Sequence, residues 1–188
     1  MMCVHVLKAS WVRRLASLGA AIAAVAAVGF GLGRVRAAES GVDAKTAFAS
    51  LKALAGEWQG PVGSSTGKVN RVIFRVTSGG SAVFERQFPD QPHEMTSVYH
   101  LDGEELVLTH YCAAGNQPRM RLNRAASTPS LLLFDFAGGS NLDPAKDGHV
   151  HAGRIRVLDA GRFEAEWYFH AEGKCVGTNG FFMTRAGR

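Results

Sequence analysis

From Glu57 to Arg185 apolar and polar side chains alternate, and turn chemistry interrupts the alternation about every ten residues. Successive side chains of a strand point to opposite faces, so a period of two demands a sheet with one buried face and excludes an amphipathic helix. The strand candidates are Glu57–Val62, Lys68–Thr77, Ala82–Gln87, His93–Leu101, Glu105–Cys112, Arg119–Asn123, Leu131–Phe136, His149–Leu158, Arg162–His170 and Cys175–Arg185. Gly79-Gly80, Asp102-Gly103, Asp159-Ala160-Gly161 and Glu172-Gly173 supply tight turns between them. Sequential hairpins without a crossover segment predict an all-β chain: one antiparallel up-and-down barrel of about ten strands, closed so that no edge remains open. Ahead of it, Phe48, Leu51 and Leu54 recur at helical spacing within Val42 to Leu54, and Asp43 is placed to cap. A short amphipathic helix is expected to plug or abut one barrel end.

The first 37 residues read as an export signal. Residues 1–14 are basic and free of acids, Leu15 to Leu32 is an Ala/Gly-rich apolar run, and Val35-Arg36-Ala37 fits a small-residue cleavage site. Arg13-Arg14 keeps both the Sec and the twin-arginine route open. The expected organisation is a signal peptide over residues 1–37 and one barrel domain over 38–188, periplasmic or secreted, with no membrane span after cleavage. The charge balance changes with the cut. Lys8, Arg13, Arg14, Arg34 and Arg36 account for the whole formal excess of +5, so the remainder is neutral and a nucleic-acid partner loses its electrostatic support. Cys112 and Cys175 would face a compartment that permits disulfides; a bridge between them and two free thiols both stay open.

Alternation also assigns faces. His149, His151, Gly153, Ile155 and Val157 oppose Arg154 and Arg156, so the odd positions are expected inside. Phe163, Ala165, Trp167 and Phe169 form the inner set of the next strand, which turns His170 to solvent. Leu106, Leu108, His110 and Cys112 share a face with Tyr99 through the Asp102-Gly103 turn, with His100 outward; a bulge would reverse such an assignment. In an up-and-down barrel His93, His110, His149 and His151 lie at one end, under the longer connections around 113–118 and 137–148. Long connections over one mouth are usual where a ligand enters. His110 and His149 stand three strand spacings apart, about 14 Å along the wall and less across the lumen.

Gly56-Glu57-Trp58 at the opening strand and Thr184-Arg185 at the closing one resemble the pair that shuts lipocalin-like (calycin-type) barrels, where a Gly-x-Trp packs beneath a basic side chain. Thr96–Gly103, Leu108–Cys112, Gly115–Met120, Asp147–His151 and Glu166-Trp167 resemble a group of uncharacterised exported bacterial proteins. The resemblance covers nearly all of residues 38–188 and implies a lipocalin-like barrel, with Trp58 and Arg185 structural, and no known activity. There is a more distant similarity to fatty-acid-binding and nitrobindin-like barrels. The last strand, Cys175–Arg185, carries no histidine to serve as a haem iron ligand.

Three functions follow as expectations. The first is a binding protein for a small apolar or amphipathic molecule, contacted by Tyr99, His110, Asn116, Arg119, His149, His151 and Trp167. The second is a divalent-metal or haem protein using His110, His149 and His151, with Asp143 or Asp147 reaching down from the connection above; three imidazoles and an open position are a metal-site pattern. The third is an envelope structural or interaction module. One hydrolase motif is missing: there is no His-Glu-x-x-His.

Overall fold

A computed structural model describes residues 41–62 and 65–187. The expected signal peptide lies outside the described residues. Among the described residues an α-helix, α1 (Ala44–Ala53), precedes ten strands: β1 (Gly56–Val62), β2 (Ser65–Thr77), β3 (Ala82–Gln87), β4 (Met95–Asp102), β5 (Glu105–Tyr111), β6 (Gln117–Leu122), β7 (Leu131–Ser140), β8 (His149–Asp159), β9 (Arg162–Ala171) and β10 (Lys174–Arg185). Each strand pairs antiparallel with its sequence neighbour, and β1 pairs with β10, so the sheet closes into an up-and-down barrel. The all-β barrel read from the alternation is the fold.

Asp43 caps α1, accepting from the Thr46 amide at 2.9 Å and the Thr46 hydroxyl at 2.7 Å. The helix buries Ala44, Ala47, Phe48 and Leu51 at the barrel end where β1 begins and β10 finishes. There Trp58 stands opposite Arg185 in the closing register. The Trp58 indole N–H donates to the Leu54 carbonyl at 2.7 Å, and the Arg185 guanidinium lies 4.2 Å above the indole ring. The same guanidinium donates to the carbonyls of Ala160, Ala55 and Ala53, tying β10 to the helix exit and the β8–β9 turn. Gly56 is required beneath it: its φ is +134°, and a Cβ would come within 2.7 Å of Arg185 Nη1. Trp58 and Phe74 both meet the edge of Phe163, at centroid distances of 4.8 and 5.7 Å, making a close-packed floor.

Outward positions carry ion pairs where the register predicts them. Arg154 sits opposite Glu166 at 2.8 Å, and Arg156 opposite Glu164 at 4.0 Å. Such exposed pairs contribute about 0–1 kcal/mol each and serve mainly to mark the outer face.

Most strand bounds differ from the sequence reading by one to three residues, and that of β7 by four. Residues 137–140, expected as connection, extend β7, with Ser140 opposite Gln117 and Gly139 opposite Pro118. Small residues hide this stretch from any periodicity, yet they permit it. A bulge between Pro118 and Met120 absorbs Gly138 at φ +102°, and a Cβ on Gly139 would meet the Gln117 carbonyl at 2.9 Å.

Candidate functional site

The barrel end away from α1 carries the connections 88–94, 112–116 and 141–148. Below them the inner wall turns polar. Asn70, Glu85, Gln87, Ser97 and His110 are all buried, together with Tyr99 and Trp167. Register explains how they meet: Glu85 stands opposite Ser97, and Ser97 opposite His110, on three adjacent strands. Neighbouring strands lie about 4.8 Å apart, within side-chain reach.

The Tyr99 hydroxyl donates to Glu85 at 2.6 Å, and the Gln87 amide donates to its other oxygen at 2.9 Å. The Ser97 hydroxyl is 3.0 Å from His110 Nδ1, and Ser97 stands opposite Glu85 across the β3–β4 pairing. Burial drives the Glu85 pKa up, and the hydrogen-bond donors beside it oppose the shift. Tyr99 is pushed well up by burial and by Glu85 beside it. Burial alone pulls His110 down to about 4, so its imidazole is neutral at physiological pH.

Four polar atoms of this inner wall have no partner among the described residues: Asn70 Nδ2, Asn70 Oδ1, His110 Nε2 and Trp167 Nε1. The Trp167 indole lies near-parallel to the His110 ring, at 22° with centroids 6.1 Å apart. Gly153, opposite Trp167 in β8, makes room for it; a Cβ there would stand 2.4 Å from an indole carbon.

A second cluster lies where β7, β8 and β9 reach the same end. The β8–β9 pairing steps from Ala152 opposite Tyr168 to Val150 opposite Phe169, leaving His151 in a bulge. Val150 therefore stands opposite Phe169, and His149 opposite His170. The bulge interrupts the alternation from which an inward His149 was expected. His149 is nonetheless fully buried, beneath its ring neighbours Phe136, His151 and His170. Its Nδ1 is 2.8 Å from the Asp147 carbonyl and its Nε2 is 3.0 Å from His151 Nδ1. A carbonyl only accepts, so His149 Nδ1 donates to it. His151 is sandwiched between Phe136, at 4.6 Å, and His170, at 3.8 Å and 7°. Burial, then the neighbouring histidines, lowers the His151 pKa to about 4; burial and His149 lower that of His170. His170, expected in solvent, is instead one face of this stack.

Among the described residues no group of three or more His, Cys, Asp or Glu side chains is placed to hold a metal ion. His110 faces the lumen whereas His149 and His151 bond to each other, so the expected three-histidine set is not assembled. Asp143 and Asp147 do not reach down: Asp143 pairs with Lys146 at 2.9 Å, and Asp147 accepts from the Asp143 amide at 2.7 Å, folding the connection on itself. Asn116 is buried at the mouth and donates to the Gly148 carbonyl at 2.8 Å, joining two connections. Arg119, expected at the rim, is exposed on the outer wall opposite Thr109, because alternation gives the inward position to Met120. It lines a shallow outer groove with His100, Asp102, Val107, Thr109 and Arg121. Cys112 is a free thiol, so no bridge joins it to Cys175.

Sequence reasoning missed Asn70, Glu85, Gln87 and Ser97. Hairpin register held the signal for two of them: with Tyr99 inward, Ser97 is inward too, and its opposite number is Glu85. A scan against protein-family models and a search of curated proteins found no match to this chain.

Proposed function

We propose that this chain is a lipocalin-like binding protein, exported after loss of residues 1–37, that holds a small amphipathic molecule at the polar half of its lumen. The carrying observation is the set of buried, unpartnered atoms on Asn70, His110 and Trp167. A buried polar atom left without a hydrogen bond costs about 1–3 kcal/mol, so four on one inner wall ask for a guest that supplies the bonds. The aromatic rings of Tyr99, Phe134 and Trp167 give the guest's apolar part a surface to pack against.

Two tryptophans offer an internal control for the test. In ¹⁵N-labelled protein the Trp167 indole N–H resonance should move on addition of extract from the producing cells, and the Trp58 resonance, already bonded to Leu54, should stay. Native mass spectrometry of protein from its own host should show a retained organic mass. A Trp167 signal unmoved by extract, with no retained mass, would refute the proposal.

A further inference from the structure

Resting on that reading, we infer that connection 88–94, between β3 and β4, is a hinged strap whose stopper is Phe88, and that water and guest reach Asn70 when it opens. The alternation breaks at the end of β3. Val83, Glu85 and Gln87 are buried on the inward side, so the next residue is due to face out. Phe88 instead packs against the buried core, because its φ of +55° turns the chain back. That region is uncommon for a bulky aromatic residue, and Asp90 follows at +66°. Two such residues so close together store conformational energy that ordinary φ values would release.

The ring crosses the barrel end. The Phe88 amide donates to the Arg71 carbonyl of β2 at 3.1 Å, yet the ring centroid lies 5.9 Å from that of Phe181 on β10. In the closed sheet β3 and β10 are separated by β2 and β1, three spacings or about 14 Å along the wall. Both rings therefore lean over the inner faces of β2 and β1. Asn70 lies in that span: it precedes Arg71, is 1 % exposed, and stands opposite Gly60, which has no side chain to meet it. β3 ends at Gln87 opposite Val72, so beyond that point the strap flanks β2 in place of a strand. Both Asn70 amide atoms are buried there without a partner among the described residues. On the outside, charges hold the strap down. Arg86 donates to both Glu94 oxygens, at 2.8 and 2.7 Å, and Glu94 accepts from the Asp90 amide at 2.8 Å. Asp90 is in turn 3.3 Å from Arg86 and 3.6 Å from Arg71. These groups are partly exposed, so salt weakens their hold. A strained segment under such a clamp can open without unfolding the barrel.

A buried carboxamide exchanges its protons only when water reaches it, so Asn70 reports the opening directly. Followed by NMR in the unmodified protein, exchange of the Asn70 side-chain amide should be several-fold faster in about 1 M sodium chloride than in about 0.05 M. In Glu94→Gln, which removes the charge from the clamp, it should be fast at both salt levels. In Phe88→Gly, where glycine accepts the positive φ and the stopper is gone, it should rise at least about tenfold. The Trp58 indole N–H, bonded to Leu54 at the far end of the barrel, is the control and should keep its rate throughout. Asn70 exchange unmoved by salt, or unmoved in Phe88→Gly, would overturn the strap while leaving the binding reading in place. Acceleration of Trp58 equal to that of Asn70 would overturn it too, since the whole barrel would then be opening. Opening as expected in a protein that retains no guest would uphold the strap and sink the binding reading.

Discussion

Trp58 and Trp167 occupy inward positions near opposite ends of one barrel and have been given opposite circumstances. The Trp58 N–H is bonded to Leu54, its ring is covered by Arg185 and edged by Phe163, and every neighbour has its partner. The Trp167 N–H is buried without a partner, beside an imidazole whose outer nitrogen also has none. The same side chain thus serves closure at one end and is left open for recognition at the other. A fold spends its satisfied contacts where it must hold together and leaves polar atoms unspent where something else is to meet them.

Substitutions should separate the two ends. Trp58→Ala empties the floor and should cost about 3–5 kcal/mol in urea unfolding, whereas Trp167→Phe, which removes an unbonded N–H and keeps a ring, should cost about 1 kcal/mol and weaken binding instead. Equal costs at both ends would erase the contrast.

The next largest effect is a pH dependence confined to the polar end. His110 is held near 4 when folded against 6.5 when free, so between these values the unfolded chain takes up a proton that the folded one refuses. Stability should fall as pH drops from 6.5 to 4 and level off below, by on the order of 3 kcal/mol for this group. His151, more exposed, acts in the same direction. Glu85 acts in the opposite one, because its raised folded pKa means that the fold gains as pH falls through that value. Urea titrations at pH 7, 5 and 4 on the native sequence and on His110→Phe check the assignment: the variant should lose most of the acid-side decline, and an unchanged decline would put its source elsewhere.

The smallest effect belongs to the outer wall. Arg119→Ala should change stability by about 0.5 kcal/mol or less and leave ligand binding unaltered, since its side chain lies on the far side of the sheet from His110. A loss of binding in this variant would place recognition outside the lumen.

Much of the architecture was legible because it is written locally. Alternation and turn residues locate ten strands, and Asp43 announces its helix. Tyr99, His110 and Trp167 could be put on the inner wall by counting from a turn. Counting loses its frame at the His151 bulge, and it failed at residues 137–140, where glycines show no pattern to count. Asn70, Glu85, Gln87 and Ser97 escaped for another reason. A polar residue at an inward position looks, in sequence, like a break in the alternation, so the residues that make the site polar are those that blur the signal for being inside.

The sequence by itself determined which side chains turn inward over most of the wall, since that follows from the covalent geometry of consecutive residues. Only the tertiary structure decided which inward polar atoms find partners. Tyr99 bonds to Glu85 and Ser97 to His110 because three strands lie side by side in one register, and Trp167 comes to His110 because the sheet closes on itself. Facing is a property of neighbours along the chain; satisfaction is a property of neighbours in space.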